Sequence, residues 1–286
     1  MQRFHFHLLG ILAMALLFVS CQKDGPTALE PISGDAGQQS LAKVVTGTGG
    51  MYTVTTKNVT LKGAFAGIIV AVDGAHVNLA QAIIDGSSGN TNSGIGIHLL
   101  NRTGVHINGG TVQNCNVGVL LGDAVSNTGG GSDNHLNGIV VRNSVIATGG
   151  TSFDGDGIAI NNGVNNHVNN NQVSNVGGSF LSVGIRLWGG SDNDVTGNTV
   201  QSLKPGTLPP AGLILQGADN TAVHGNLVSN NPGNGIWAQT GAVGNFISGN
   251  TALNNSGNDL QDDNTDCDNN TWQGNTFGTA NQGCIQ

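Results

Sequence analysis

Short alternating runs of apolar and polar residues recur along most of the chain. The phrase HVNNNQVSN (residues 167–175) places valine at its second and seventh positions. Between its copies lies a second phrase, of which GIRLW (184–188) is one example, with apolar residues at every second position. This alternation predicts short β-strands, and no helical period runs through the same residues. Copies of the first phrase begin at His106, His135, His167, Asp194, Ala222, Phe246 and Thr271.

Repetition of this kind predicts a solenoid of stacked coils, because one coil is too small to bury its own apolar face and must use its neighbours. Asparagines recur in two registers of the repeat. Asn side chains can hydrogen-bond from coil to coil, and Asn tolerates the left-handed turn conformation, so we assign them a structural role. One register holds Asn171, Asn198, Asn226, Asn250 and Asn275, and the other holds Asn114, Asn143, Asn175, Asn230 and Asn254.

These phrases resemble the repeats of right-handed parallel β-helix proteins, including the pectate-lyase-like and the periplasmic copper-binding and sugar-hydrolase types. The resemblance covers roughly residues 55–279. It implies an all-β fold, a single-stranded right-handed parallel β-helix of about eight to nine coils. Lyases, polygalacturonases, epimerases and non-catalytic surface proteins share this architecture, so the resemblance specifies the fold more than the activity.

The N-terminal segment differs from the repeats. Residues 1–20 contain LLGILAMALLFV, an apolar run too short to span a bilayer. With Cys21 next, the segment resembles a bacterial lipoprotein signal, which implies acylation of Cys21 and a cell-envelope location, in the outer membrane or secreted. A plain secreted protein is the alternative. We expect residues 22–45 to form a polar tether with an N-terminal cap, and residues 46–286 to form the β-helix.

Charge limits the partners of the chain. It carries 17 acidic and 9 basic residues, a formal net charge of −8. Nucleic-acid binding needs clustered Lys and Arg, so nucleic acid is excluded as a partner. Beyond the leader the sequence has no apolar segment long enough to cross a membrane, so the lipid anchor is the only membrane contact expected.

The cysteines outside the leader have different predicted roles. Cys267 and Cys284 bracket the last stretch, and in an exported protein we predict that they form a disulfide that pins a C-terminal cap. A metal site is the weaker interpretation, because no histidine lies near them in sequence. Cys115 lies in a strand-like setting and is predicted to be a buried, unreactive thiol.

One strand face carries the candidate binding residues. In GIRLW, Ile185 and Leu187 take the inward positions, so Arg186 and Trp188 point outward. Aromatic and amide side chains suit the apolar faces and polar edges of sugar rings, which predicts a polysaccharide groove along this face. Surface decoration is the alternative for Arg186 and Trp188. The predicted groove residues are His98, Asn161, Trp188, Gln216, Trp237 and Gln239.

Inserted loops before these strands bring charge to the same side. In the resembled lyases, elimination on a uronate polymer needs a neutralised carboxylate and a base that removes the C5 proton. Arg186 and Lys204 are the candidate catalytic residues, and Asp154 and Asp156 are candidate Ca²⁺ ligands, with turn formation as their alternative role.

The favoured function is therefore a polysaccharide lyase acting on a uronate polymer. Glycoside hydrolysis, which needs two placed carboxylates, ranks below it. Asp154 and Asp156 are the only convincing pair on this face and could equally be solvated loop residues, and the several spaced Asp residues typical of polygalacturonases are missing. The alternative from another class is a non-catalytic carbohydrate-binding or structural surface lipoprotein, which the low share of charged residues, 9%, favours.

A histidine column is the last candidate site. His106, His135 and His167 occupy one register of the repeat, with Asp194 next. Such a row can hold a metal ion, or the imidazoles can stack on one another without one.

Overall fold

The computed structural model describes residues 42–89, 94–144, 155–178 and 181–286. The predicted signal, Cys21, most of the tether and Asp154 lie outside the described residues. The described part contains strands and two 3₁₀ turns, Gly86–Ser88 and Thr265–Cys267, and none of its helices is long and apolar enough to cross a membrane.

The strands are β1 (Lys43–Thr48), β2 (Met51–Val54), β3 (Asn58–Phe65), β4 (Gly67–Val70), β5 (His76–Asp85), β6 (Ile95–Leu99), β7 (His106–Asn108), β8 (Thr111–Gln113), β9 (Val117–Leu121), β10 (His135–Asn137), β11 (Val140–Arg142), β12 (Asp156–Asn161), β13 (His167–Asn169), β14 (Gln172–Ser174), β15 (Val183–Trp188), β16 (Asp194–Thr196), β17 (Thr199–Gln201), β18 (Ala211–Gln216), β19 (Ala222–His224), β20 (Leu227–Ser229), β21 (Asn234–Ala238), β22 (Phe246–Ser248), β23 (Thr251–Leu253), β24 (Leu260–Asp262), β25 (Thr271–Gln273) and β26 (Thr276–Phe277).

Most coils contribute three strands, and equivalent strands of successive coils pair in parallel, which gives three series of strands along the solenoid. The third series forms a nine-stranded sheet in the order β2-β4-β6-β9-β12-β15-β18-β21-β24. The first two series join in a 17-stranded sheet, because β3 and β5 run through the corner that later coils turn more tightly. Equivalent repeat positions are in register, as Val168 is with Leu136 and Val195. The fold is the predicted right-handed parallel β-helix.

The core is a column of inward aliphatic side chains that runs from Val54 to Ile285. A glycine recurs near the start of the strands of the nine-stranded sheet, as Gly184 does in β15. A Cβ added at Gly184 would clash with Cγ1 of Val200, so only glycine lets this inward valine pack against the strand. The recurring glycine is therefore part of the core packing.

Asparagine side chains form hydrogen-bonded ladders from coil to coil, as the sequence predicts. Oδ1 of Asn198 accepts hydrogen bonds from the backbone N–H and Nδ2 of Asn171, at 2.9 and 3.0 Å, and Nδ2 of Asn198 donates to Oδ1 of Asn226. The second predicted register adopts the left-handed conformation, for example Asn175 at φ 52°. A third row, which sequence reasoning missed and which Thr221 interrupts, contains Asn134, Asn166, Asn193, Asn245 and Asn270.

The C-terminal end is closed covalently and by a buried carboxylate. Cys267 and Cys284 form the predicted disulfide, with their Cα atoms 6.1 Å apart. Asp262 is buried nearby and accepts hydrogen bonds from Nδ2 of Asn270 at 3.0 Å and Nε1 of Trp272 at 2.8 Å. The last coil has no following coil to accept hydrogen bonds from its side chains, and Asp262 accepts them instead.

Candidate functional site

The nine-stranded sheet brings the predicted groove residues to one outward face. Arg186 is in register with Ala159 on one side and Ile214 on the other. Trp188 is in register with Asn161 and Gln216. Ile185 and Leu187 belong to the main core, whereas Trp188, Ala159 and Ile214 belong to separate clusters, so the outward direction read from the alternation in GIRLW is correct.

Arg186 is nevertheless buried, with 3% of its surface exposed, and the expectation that an outward side chain is accessible is wrong for it. Its Nη2 donates to Oδ1 of Asp156 at 3.0 Å, and its Nε lies 2.8 Å from Oδ2 of the same carboxylate. Asp156 is fully buried. Both charged groups are thus committed to a two-point ion pair between adjacent coils.

Apolar side chains surround this pair on the outward face. One cluster consists of Ile95, Val117, Leu120 and Ala159, with Trp188 and Ala124 packed against it. A second consists of Val183, Ala211 and Ile214, with Leu181 and Trp237 packed against it. This part of the face is therefore a small external core and not an open groove.

The predicted Ca²⁺ site gains no support from these contacts. The carboxylate of Asp156 pairs with Arg186, and Asp154 lies outside the described residues. In the described ranges, no group of three or more His, Cys, Asp or Glu side chains is arranged to hold a metal ion.

Two further groove residues have structural contacts. Nε2 of His98 lies 2.8 Å from the carbonyl oxygen of Gly122, and burial lowers the pKa of His98. Asn161 is buried and donates from Nδ2 to the carbonyl oxygen of Asp123 at 2.7 Å. Both side chains hold the turn that follows β9 close to the nine-stranded sheet.

Lys204 and Arg186 lie in different parts of the coil and have different neighbours. It is exposed on the turn after β17 and lines an open cavity of about 490 Å³ together with Asn230, Pro232 and Asn254. The other residues of this cavity belong to the turns beside the 17-stranded sheet. The structure does not place Lys204 on the face that carries Arg186.

The accessible part of the outward face lies toward the C-terminal coils. Trp188 is in register with Gln216, and Trp237 with Gln261. Nε1 of Trp237 donates to Oδ2 of Asp263 at 2.8 Å, and Nε2 of Gln261 donates to Oδ1 of the same carboxylate at 2.7 Å. We call the partly or fully exposed set Trp188, Gln216, Trp237, Gln239, Gln261 and Asp263 the Trp–Gln patch.

Gln261 and Asp263 were missed by sequence reasoning. They follow Leu260 in a coil that lacks the GI phrase. The sequence signal that could have identified them as outward residues is their alternation with the inward Leu260.

The histidine column is a stack of four imidazoles, which we call the His file: His76, His106, His135 and His167. Ring centroids are 4.6, 4.3 and 4.4 Å apart, and the planes are within 7° of parallel. At its C-terminal end, Nδ1 of His167 lies 3.5 Å from Oδ2 of Asp194. Parallel rings point their nitrogens in parallel directions and do not converge on one ion, so the geometry matches stacking, the alternative without metal.

Acidification is expected to lower the free energy of unfolding. Burial, then the charges of neighbouring imidazoles, lower the pKa values of His106 and His135. Histidine in the unfolded chain has a pKa of about 6.5. The contribution of His106 and His135 to stability is therefore complete above that pH and is lost as pH falls through their lowered folded-state pKa values. Urea unfolding at about pH 7.5 and about pH 5.5 measures this loss. An equal loss in a His106→Gln/His135→Gln variant would contradict the assignment.

Cys115 has the properties expected of an unreactive thiol. It is buried, and burial raises its pKa to about 12. The thiolate is therefore not populated at neutral pH, which removes this residue as a nucleophile or metal ligand.

Solved structures similar to the chain include three parallel β-helix enzymes. The periplasmic alginate epimerase AlgG is 14% identical, with a TM-score of 0.49, over 79% of this chain and 52% of that chain. The mannuronan C-5 epimerase AlgE6 A-module of Azotobacter vinelandii is 13% identical, with a TM-score of 0.37, over 87% and 89%. Endopolygalacturonase I of Stereum purpureum is 15% identical, with a TM-score of 0.21, over 84% and 91%.

These similarities concern the fold alone, and the chain spans about half the length of AlgG. Among curated proteins no match was found. A family model described as "Periplasmic copper-binding protein (NosD)" matches residues 126–285. Because this match covers more than half of the chain, the protein belongs to the NosD family.

Proposed function

We propose that this protein is a cell-envelope polysaccharide-binding protein that holds a glycan on the Trp–Gln patch. The observation that carries the proposal is the pairing of two partly exposed indoles, Trp188 and Trp237, with glutamines on adjacent coils. Indole faces pack against the C–H faces of sugar rings, while amides bond to the hydroxyls at their edges.

The patch also has the fixed geometry that binding requires. Its side chains project from strands whose spacing is about 4.8 Å. Trp237 and Gln261 are both anchored on Asp263, which reduces the rotamer freedom that binding would otherwise remove. A rigid surface of this kind lowers the entropic cost of holding a glycan.

The envelope location rests on the family description, which is periplasmic, and on the leader-like residues 1–20. Acylation of Cys21, and a polar tether that ends before β1 begins at Lys43, remain part of this proposal.

Binding is preferred to elimination because of the state of Arg186. A lyase needs a cation that neutralises the substrate carboxylate, and the guanidinium of Arg186 is buried against Asp156. A binding function needs no such group. The glycan would lie toward Trp237 and Gln239, beyond the external core.

Copper, which the family description names, does not fit the described residues. Copper is held by converging imidazole nitrogens and by sulfur ligands. The rings of the His file are parallel, Cys115 is buried with a raised pKa, and Cys267 and Cys284 form a disulfide. No group of three or more His, Cys, Asp or Glu side chains in the described ranges could hold a metal ion, so we assign no role to copper.

Replacing Trp188 or Trp237 with alanine is expected to weaken glycan binding about tenfold, which corresponds to about 1.4 kcal/mol. Quenching of tryptophan fluorescence and titration calorimetry over a panel of neutral and acidic polysaccharides would measure this. Phe246→Ala is the matched control, since Phe246 is an exposed aromatic, 45% accessible, on the 17-stranded sheet.

Unchanged affinity in both tryptophan variants would overturn the proposal. So would the appearance of the ultraviolet absorbance of an unsaturated uronate product with the wild-type protein, because that result would show a lyase.

A further inference from the structure

Two hydrogen-bond donors of the Trp–Gln patch are held by one carboxylate, that of Asp263. Its Oδ2 accepts from Nε1 of Trp237 at 2.8 Å, and its Oδ1 accepts from Nε2 of Gln261 at 2.7 Å. Oε1 of Gln261 in turn accepts from Nδ2 of Asn258 at 3.2 Å, which fixes the orientation of the amide. The indole N–H of Trp237 and the side-chain amide of Gln261 are therefore committed to contacts within the protein.

Asp263 keeps acceptor capacity beyond these two contacts. A carboxylate has about four lone-pair positions, and the donors from Trp237 and Gln261 take one on each oxygen. Asp263 is exposed, so its other lone pairs are open to a ligand. Sugar hydroxyls can donate to them, and a hydrogen bond to a carboxylate is about twice as strong as one between neutral groups. A uronate carboxylate has no proton to donate there and is repelled instead.

The turns beside the patch add negative charge. Asp192 lies in the turn after β15 and Asp219 lies in the turn after β18, and each is at least partly exposed. These turns follow the strands that carry Trp188 and Gln216. Across residues 155–286 the sequence holds nine Asp and two Lys or Arg. The electrostatic field around the patch is therefore expected to be negative.

The two basic residues of this part of the chain do not neutralise the patch. Arg186 is buried and paired with Asp156. Lys204 lines the cavity beside the 17-stranded sheet. The other five Lys and Arg of the described residues all precede β12, which lies three coils before the strand of Trp237. Within the described part of the chain, an anionic glycan on the patch would thus meet carboxylates without a cation to balance them.

We propose that the Trp–Gln patch selects a neutral glycan over uronate polymers, with Asp263 as the residue that determines this specificity. The inference rests on the proposed function, glycan binding at the patch, and names the substrate class of that site. Ring faces pack on Trp188 and Trp237, and hydroxyls of the same glycan donate to Asp263. A uronate would place its carboxylate against that of Asp263, and like charges in contact disfavour the wrong partner.

A matched pair of ligands tests the charge alone. A galacturonate hexamer and its fully methyl-esterified form have the same rings and linkages, and neutral hexamers of glucose, mannose and xylose extend the comparison. By titration calorimetry at about 0.01 M ionic strength, the tightest ligand should be neutral, and the acid should bind at least about tenfold more weakly than its ester. The difference should shrink at about 0.15 M, where salt screens the repulsion. Equal or tighter binding of the acid would overturn the proposal.

Asp263→Asn tests the residue, because it removes the charge and keeps an oxygen that can accept from Trp237. We expect the preference, the ratio of the Kd of the acid to that of the ester, to fall at least about fivefold. Asp133→Asn is the matched control. Asn165 already occupies the equivalent position of the next coil, and Asp133 follows β9, four coils before the strand of Trp237.

The control removes the same charge at a distance over which salt of about 0.15 M largely screens it, so it should keep the wild-type preference. An unchanged preference in Asp263→Asn, or an equal fall in Asp133→Asn, would overturn the role of Asp263. The wild-type comparison of acid and ester uses no variant, so a folding defect cannot affect it.

Trp237→Ala separates a failure of this inference from a failure of the proposed function. If an acidic hexamer binds most tightly and Trp237→Ala abolishes that binding, the patch is a glycan site and its neutral class is wrong. If no hexamer binds in a way that depends on Trp237, the proposed function fails, and the selectivity of the patch fails with it.

Discussion

Arg186→Met is expected to destabilise the protein by about 3–5 kcal/mol, because it removes the guanidinium that neutralises the buried carboxylate of Asp156. Urea or guanidinium unfolding followed by circular dichroism measures the change, with the slope of the transition as a check on two-state behaviour.

The double variant Asp156→Leu/Arg186→Met should recover most of this loss, since apolar residues of similar volume often replace a buried ion pair at little cost. Arg142→Gln, at an exposed site, should change stability by no more than about 0.5 kcal/mol. A loss below about 1 kcal/mol in Arg186→Met would contradict the burial of the pair. Any decrease in glycan binding by Arg186→Met must therefore be measured on protein shown to be folded.

The direction of Arg186 could be predicted from the sequence, but its burial could not be inferred from alternation alone. Alternation separates two sides of a strand and says nothing about what covers the outer side. A further signal was present in the sequence. The outward positions on neighbouring coils are Leu120, Ala159 and Ile214, and a solvated face would carry polar residues there.

The stack of coils was predictable because the repeat itself fixes the register of each strand. The longer corner of β5, residues 79–82, was not, because it depends on how β5 pairs with β7 and β8. The sequence shows only a weaker copy of the phrase around Leu79. Features that break the repeat need the three-dimensional register, and the Trp–Gln patch includes one, the coil of Leu260 that lacks the GI phrase.

Replacing Asn226 with alanine is expected to cost about 3 kcal/mol, because three buried groups each lose a hydrogen bond. The backbone N–H and Nδ2 of Asn198 donate to its Oδ1, both at 2.9 Å, and its Nδ2 donates to the carbonyl oxygen of Val195 at 2.8 Å. A buried group left without a partner costs about 1–3 kcal/mol. The sum is reduced because Nδ2 of Asn198 keeps its hydrogen bond to the carbonyl oxygen of Val168, at 2.7 Å, and because the turn can relax. Denaturant unfolding and amide hydrogen exchange of the adjacent turns would measure the effect.

Two comparisons locate the origin of this cost. Asn108→Ala, at an exposed strand position, should change stability by no more than about 0.5 kcal/mol. Asn275→Ala, at the half-exposed end of the same ladder, should cost less than Asn226→Ala, because water can reach the groups it leaves. If all three variants lost the same stability, the ladder would not be the reason. A cost that decreases from the middle of the ladder to its end is expected of a solenoid, in which each coil is stabilised by its neighbours.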